Sequence, residues 1–129
     1  MDITKLPTFS DARGDLVPLE FKNIPFIPQR IFFVKNVPEG TCRGRHAHYN
    51  TKQLLICLKG KIKVVQHNGN EEHTSYITEN ESVLINNLVW DYQEFSSNQD
   101  VLLVLCSTPF DKEDYIGDFE KFKKISSER

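Results

Sequence analysis

"LLICLKGKIKVVQHNGN", residues 54–70, is the stretch that decides the fold class. Two short aliphatic runs, 54–58 and 62–66, flank a tripeptide at 59–61 whose central glycine predicts a tight hairpin. An Asn-Gly turn at 67–70 follows, and this dipeptide supplies the positive φ angles that two-residue hairpin turns need. Short apolar runs separated by turns are the pattern of an all-β protein.

The same pattern covers most of the chain, so we expect about eight to ten short strands. Besides the two runs above, strands are predicted at residues 30–37, 74–78, 82–86 and 101–107. Closing such strands into a β-barrel or jelly roll removes the exposed sheet edges. The 129 residues favour one domain spanning 1–129, with the barrel over about residues 8–108.

The C-terminal tail has a different period. Between residues 111 and 125 apolar side chains recur at spacings of three and four, which predicts a short helix. These side chains are Tyr115, Ile116, Phe119, Phe122 and Ile125. Asp111 is the predicted N-cap, because aspartate accepts hydrogen bonds from the first free backbone N–H groups.

Composition excludes several classes of partner. The formal net charge is −2 and the basic residues are scattered, so no nucleic-acid-binding face is expected. The apolar runs are too short to cross a bilayer, and the N-terminal residues lack the features of a signal peptide. Three cysteines without CxxC spacing fit reduced thiols, so we expect a cytoplasmic protein without membrane contact.

"RGRHAH", residues 43–48, carries the candidate chemistry. On a strand, His46 and His48 share one face about 6 to 7 Å apart, and Ala47 points to the other face. Such a pair suits either a metal ion or proton transfer, because imidazole titrates near pH 6.5.

Two arginines in the same segment favour an anionic ligand, because a guanidinium group binds phosphate through two parallel hydrogen bonds. Arg43 and Arg45 share a face with each other but not with His46. Either a bulge near Gly44 redirects one of them, or both line the mouth of the barrel.

The spacing of Gly40, the two histidines, Gln53 and Gly60 resembles the first motif of the cupins, which are small β-barrels. In metal-binding cupins the position of Gln53 is usually glutamate, and a second motif adds a histidine. The corresponding region here, residues 84–95, contains Asp91 but no histidine. One alternative is therefore a metal-dependent cupin enzyme that uses His46, His48 and Asp91, since two histidines and a carboxylate can hold iron.

Five segments in order are similar to the WxcM-like cupins, which act as sugar 3,4-ketoisomerases on dTDP-4-keto-6-deoxyglucose. They are "DARGDL" (11–16), "IPFIPQRIFFV" (24–34), "RGRHAH" (43–48), "FSSNQDVLLVLCS" (95–107) and "DYIGDFEKF" (114–122). The resemblance implies a homodimer of cupin barrels that needs neither metal nor cofactor. It also implies a step in making 3-amino-3,6-dideoxyhexoses for bacterial surface glycans.

Moving the sugar carbonyl from C4 to C3 requires loss of the C3 proton, an enediol and protonation at C4. The resemblance implies that His46 is the base at C3 and that His48 assists it. The remaining residues are expected to bind substrate. They are Arg43 at the diphosphate, Arg45 near an anionic part of the ligand, Gln53 at a sugar oxygen, Arg13 and Tyr92 at the hexose, and Trp90 with Phe32 or Phe33 as walls.

One departure from the family concerns the acid. Some relatives carry tyrosine in the strand where this chain has Phe32 and Phe33. The proton donor at C4 is then expected to be a histidine, Tyr92 or water, and the C4 configuration of the product stays open. A further alternative is a non-catalytic nucleotide-sugar-binding barrel, in which the histidines only hydrogen-bond the ligand.

Overall fold

The computed structural model describes residues 2–128, which form twelve strands, two 3₁₀ turns and one α-helix. The first six strands are β1 (Thr4–Lys5), β2 (Phe9–Asp11), β3 (Gly14–Leu16), β4 (Arg30–Val34), β5 (Cys42–His48) and β6 (Gln53–Lys59). The others are β7 (Lys61–His67), β8 (Glu72–Thr78), β9 (Glu81–Ile85), β10 (Trp90–Phe95), β11 (Val101–Cys106) and β12 (Tyr115–Ile116). The 3₁₀ turns are Phe21–Asn23 and Lys112–Asp114, and helix α1 is Phe119–Ser127.

Two five-stranded antiparallel sheets face each other, with strand orders β1-β9-β6-β11-β4 and β12-β5-β10-β7-β8. Strands β2 and β3 form a separate hairpin that pairs with neither sheet. The inner faces enclose an apolar core, which includes Leu55, Ile62, Val64, Ile77, Ile85, Phe95 and Leu102. The all-β, cupin-type fold predicted from the sequence is confirmed.

The sandwich has two unlike edges. At the closed edge, β8 contacts β9, and apolar side chains fill the space between the sheets. At the open edge, β4 of the first sheet faces β5 and β12 of the second across a cavity.

The predicted hairpin at residues 59–61 is wrong. Strands β6 and β7 do not pair, because β6 belongs to the first sheet and β7 to the second. The chain crosses between sheets at Gly60, which has φ +93°, and a β-carbon there would overlap the Asp100 carboxylate. A glycine between two apolar runs does not distinguish a hairpin from such a corner. The Asn-Gly turn, in contrast, does join the paired strands β7 and β8.

The C-terminal helix is confirmed, but it begins later than predicted. Asp111 caps the short 3₁₀ turn by accepting a hydrogen bond from the Glu113 N–H. Strand β12 follows, and the N-cap of α1 is Asp118, whose carboxylate accepts from two backbone N–H groups. The helix packs its apolar side on the outer face of the second sheet, against Ala47, Trp90 and Ile116. No helix within residues 2–128 is long and apolar enough to cross a membrane.

Candidate active site

A β-bulge in strand β5 determines which side chains enter the space between the sheets. His46 is paired with Asp91 of β10, but the next residue of β10, Tyr92, is paired with Gly44, so Arg45 is left over. Gly44 has φ +99° and Arg45 has φ +60°. A β-carbon on Gly44 would lie 3.1 Å from backbone atoms of β10, so glycine suits both the angle and the close approach.

The bulge separates the two arginines. Arg43 lines the cavity together with His46, whereas the guanidinium carbon of Arg45 lies 4.7 Å from the ring centre of Tyr92, outside the cavity. The extra residue shifts the alternation of the strand by one position. Of the two sequence-based alternatives, a bulge near Gly44 that redirects one arginine is confirmed.

The two histidines lie on one face, as predicted. Their ring centroids are 4.8 Å apart and the rings are nearly perpendicular, with an interplanar angle of 80°. Ala47 points the other way, into the cluster beneath α1. His46 lines the cavity, but His48 is only 4% exposed and does not. Of the two imidazoles, only that of His46 is therefore placed to touch a bound ligand.

Tyr115 completes an aromatic cluster around the histidines. It lies in β12, where it is paired with His48, and its ring centroid is 4.5 Å from that of His48 and 5.2 Å from that of His46. Sequence reasoning missed this residue because it assigned Tyr115 to the predicted helix. The available signal was its position in "DYIGDFEKF", one of the segments that carry the family resemblance.

The cavity at the open edge has a volume of about 320 Å³, within the range of small-molecule sites. Its polar lining consists of Arg30, Arg43, His46, Gln53, Gln93 and Tyr115. Its apolar lining consists of Phe32, Phe33, Val34, Leu55, Leu102 and Val104. Two guanidinium groups, two amides, an imidazole and a phenol can bind an anionic ligand that carries several oxygens.

A second cavity of about 380 Å³ lies on the outer side of the first sheet. Residues of the N-terminal segment, β6 and β9 line it, and within residues 2–128 none of its lining residues is a histidine or an arginine. It lacks groups that would bind phosphate or move a proton at neutral pH. The candidate active site is therefore the cavity at the open edge.

Burial keeps both imidazoles neutral at physiological pH. Desolvation lowers the pKa of His46, and a hydrogen bond to the Gly44 carbonyl opposes this only in part. Burial, followed by the charge of His46, lowers the pKa of His48 to about 4. A neutral imidazole is the form that accepts a proton, so the environment of His46 suits a general base.

A buried carboxyl group lies beside His46. Asp91 is fully buried, and burial raises its pKa to about 8 although Gln93 donates a hydrogen bond of 2.5 Å to its Oδ2. Gln66, opposite Asp91 on β7, is also buried. Within residues 2–128, Asp91 Oδ1 and both amide atoms of Gln66 have no hydrogen-bond partner. Because its pKa is about 8, Asp91 is mostly protonated at neutral pH.

Asp114 fixes the position of β12. Its carboxylate accepts hydrogen bonds from the N–H groups of Asn50 and Thr51 and from the Thr51 hydroxyl. Burial alone would raise the pKa of Asp114, but the hydrogen bonds from Thr51 and Asn50 outweigh burial and lower it. Because Asp114 precedes Tyr115, this ionised group ties the tyrosine to the chain that follows His48.

The structure brings five predicted site residues together and leaves four elsewhere. The residues that line the cavity are His46, Arg43, Gln53 and Phe32. The fifth residue, His48, does not line the cavity but packs against the ring of His46. Trp90, Tyr92, Arg45 and Arg13 do not line it. For Gln53, the Nε2 atom lies 3.5 Å from Cys106 Sγ, and its role at a sugar oxygen stays a prediction.

Trp90 is the clearest correction. We expected it to wall the sugar, but it is 8% exposed and packs against Phe119 and Phe122 of α1. Tyr92 is also misplaced relative to its predicted contact with the hexose, because it points away from the cavity and lies beneath Arg45. Both residues follow the alternation of β10, in which Asp91 and Gln93 point inward.

Arg13 lies at the turn of the β2–β3 hairpin. Its guanidinium forms an ion pair of 2.6 Å with Asp11, and its side chain is 90% exposed. Within this chain the hairpin does not reach the open edge. Contact between Arg13 and substrate therefore stays a prediction that requires a second copy of the chain.

The ligand set of the metal-dependent alternative is not formed. In the part of the chain that the structure describes, no three histidine, cysteine, aspartate or glutamate side chains are grouped to hold a metal ion. Asp91 was expected to join His46 and His48, but its carboxyl group is buried and hydrogen-bonded to Gln93.

Residues 1–127 match the family model described as FdtA: WxcM-like, C-terminal. The chain belongs to the WxcM-like family. A curated relative of this chain, the TDP-4-oxo-6-deoxy-alpha-D-glucose-3,4-oxoisomerase of Aneurinibacillus thermoaerophilus, is 34% identical over 116 residues, which cover 88% of this chain and 84% of that protein. Membership of the WxcM-like family was predicted from the sequence and is confirmed.

Two solved structures show the same fold. QdtA, a sugar 3,4-ketoisomerase from Thermoanaerobacterium thermosaccharolyticum in complex with TDP, is 30% identical with a TM-score of 0.93, and the match covers 99% of this chain and 95% of QdtA. WlaRA, a TDP-fucose-3,4-ketoisomerase from Campylobacter jejuni, is 25% identical with a TM-score of 0.88 over 97% and 94% of the two chains.

Proposed function

We propose that this protein is a sugar 3,4-ketoisomerase, which moves the carbonyl of dTDP-4-keto-6-deoxyglucose from C4 to C3 through an enediol. The observation that carries the proposal is the neutral imidazole of His46, exposed in a cavity that also contains two arginines. The named activities of the relatives support the same reaction. The product would supply the synthesis of 3-amino-3,6-dideoxyhexoses for surface glycans.

In this mechanism His46 removes the proton from C3. Its ring faces the cavity, and the hydrogen bond to the Gly44 carbonyl leaves the other ring nitrogen free to accept the proton. His48 supports the ring of His46 by edge-on contact and does not itself reach the cavity. A positioned base of this kind contributes about 10²- to 10⁴-fold in rate.

Charged and amide groups orient the substrate. Arg43 is assigned to the diphosphate, because a guanidinium group binds phosphate oxygens through paired hydrogen bonds. Gln53 is buried and lines the same cavity, where its amide can hydrogen-bond a sugar oxygen. Phe32 forms an apolar wall and also carries the guanidinium of Arg30 on its face, 4.7 Å from the ring centre.

We also propose that the protein is a homodimer that works in the cytoplasm. Several large apolar side chains are exposed near the hairpin and on β4, namely Phe9, Leu16, Ile27, Ile31 and Phe33. A second copy covering them would bury this surface and could bring Arg13 to an open edge. Light scattering should give twice the mass of one chain. The three free thiols support a reducing compartment.

The function is tested by incubating the protein with dTDP-4-keto-6-deoxyglucose in deuterated water containing EDTA. We expect the NMR spectrum to show the 3-keto isomer, with solvent deuterium at C4. Unchanged substrate would contradict the proposal. Tight binding of dTDP without any reaction would instead favour the non-catalytic nucleotide-sugar-binding barrel.

A further inference from the structure

The proposed reaction moves protons on oxygen as well as on carbon. As C3 loses its proton, the C4 oxygen gains negative charge, and the C3 hydroxyl must lose its proton before the C3 carbonyl forms. His46 can serve the carbon atoms, but one group cannot hold the carbon-bound proton and exchange oxygen-bound protons at the same moment. A second proton carrier in the cavity, either a side chain or a water molecule, is therefore required.

Tyr115 is the residue whose position fits this task. Among the described residues that line the cavity, it is the one with a hydroxyl group. Its ring contacts both imidazoles, with centroids 5.2 Å from His46 and 4.5 Å from His48. The base and the phenol therefore border the same part of the cavity.

The other candidates for this role are placed less well. Tyr92, a predicted proton donor, lies outside the cavity beneath Arg45. His48 does not line the cavity. Phe32 and Phe33 carry no proton that they could donate.

Arg30 is placed to support a phenolate. Its Nη1 donates a hydrogen bond of 3.5 Å to the Tyr115 hydroxyl, across the open edge from β4 to β12. The guanidinium lies between the rings of Phe32 and Phe110, at 4.7 and 5.0 Å from their centres. None of the ion pairs seen within residues 2–128 involves Arg30. Its positive charge is thus directed at the tyrosine and the cavity.

We propose that Tyr115 is a catalytic acid and base for the sugar oxygens, and that Arg30 is the residue that positions it and stabilises its anion. The proposal rests on the function proposed above. Tyr115 lies at the boundary between the two sheets, next to the proton-accepting imidazole of His46.

The proton transfers balance without another reactant. His46 takes the C3 proton, the C3–H electron pair forms the C3=C4 bond, and the C4 oxygen takes the proton of Tyr115. The resulting phenolate, beside Arg30, then removes the proton from the C3 hydroxyl, and the C3 carbonyl forms. The C3=C4 electron pair then takes the proton of the His46 imidazolium at C4, so His46 is neutral again and Tyr115 is again a phenol.

The test compares Tyr115→Phe with the wild-type protein in deuterated water. Two rates are measured by NMR: formation of the 3-keto product, and appearance of deuterium at C3 of the recovered substrate. The phenyl ring keeps the contacts with both histidines, so the fold should be retained. We expect both rates to fall together by about 10²- to 10⁴-fold. Tyr76→Phe, an exposed tyrosine on β8, is the matched control and should leave both rates unchanged.

Other results would overturn the proposal. Full activity of Tyr115→Phe would remove the tyrosine from the chemistry. Exchange at C3 with loss of product would place Tyr115 at carbon C4 instead of the oxygens. Absence of any reaction in the wild-type protein would contradict the proposed function and this assignment with it, whereas an active wild type with an active Tyr115→Phe variant contradicts this assignment alone.

Arg30 is tested by charge rescue. Arg30→Met should slow both rates about 10- to 100-fold, because a hydrogen bond from a charged group to the phenolate is lost. Arg30→Lys should recover part of that loss. A purely structural role predicts the reverse, with the apolar methionine tolerated between Phe32 and Phe110 and no rescue by lysine.

Discussion

The two edges of the sandwich are built from opposite kinds of residue. At the closed edge the inward side chains are Ile77, Val83 and Ile85, none of them more than 2% exposed. At the open edge the inward side chains include Arg30, His46 and Tyr115. The apolar edge excludes water and supplies stability, whereas the polar edge keeps a cavity. Stability and chemistry are thus separated within one small fold, and substitutions at the two edges should act on different properties.

The largest expected effect is on stability, at the closed edge. Ile77→Ala removes a fully buried side chain and should lower the free energy of unfolding by about 2 to 5 kcal/mol, because the cavity left behind cannot collapse completely. Urea unfolding measures the loss. Ile3→Ala, the same substitution at a side chain that is 40% exposed, should change stability by less than about 0.5 kcal/mol. Similar losses for both variants would contradict the claim that the buried side chains of the closed edge supply the stability.

The next prediction concerns Asp91, a fully buried polar residue that is paired with His46 of the open edge. Its pKa is about 8 in the folded protein, against a usual 3.8. Between these values the folded state holds a proton that the unfolded state has released, so stability falls as pH rises, by about 1.4 kcal/mol per pH unit. Asp91→Asn removes the ionisation, and its advantage in unfolding free energy should therefore grow between about pH 5 and about pH 7.

Asp114 provides the opposite control. Its pKa is lowered in the folded protein, so its contribution to stability is present at neutral pH and is lost as pH falls. Asp114→Asn should therefore be less stable than the wild type at neutral pH, with the difference shrinking in acid. Parallel pH profiles for Asp91→Asn and the wild type would show that Asp91 is ionised in the folded protein.

The smallest expected effect is at Gln66, which is 1% exposed. Its two amide atoms have no hydrogen-bond partner among the described residues, and a buried unpaired polar group costs about 1 to 3 kcal/mol. Gln66→Met, of similar length, should raise the free energy of unfolding by about 1 kcal/mol. A decrease in urea unfolding experiments would mean that the amide is paired in solution.

Much of the fold follows from local patterns in the sequence. The alternation along β5 placed His46 and His48 on one face. The mismatch in parity between the arginines and His46 left two alternatives, of which the bulge at Gly44 is the one observed. Both conclusions need only the geometry of a strand. The positions of most longer strands were also predictable, because short apolar runs between turn residues mark them in the sequence.

What could not be predicted depends on contacts between distant segments. Tyr115 and Ile116 continue the apolar spacing of α1, but pairing with β5 draws them into a strand, and Gly117 separates them from the helix. Whether Gly60 forms a hairpin or a corner depends on which sheet receives β7. The outward direction of Trp90 likewise depends on the register of β10, in which the next residue, Asp91, is paired with His46 and Trp90 with His67.

The central claim is that the neutral imidazole of His46 takes the hydrogen from C3 of the keto sugar. The most direct measurement follows the C3 proton signal of dTDP-4-keto-6-deoxyglucose by NMR, with wild-type protein and with His46→Asn. We predict that the wild type removes the signal as product forms, and that the variant is slower by at least about 10²-fold while its unfolding temperature is unchanged. A folded His46→Asn variant that removes the C3 proton at the wild-type rate would contradict the account.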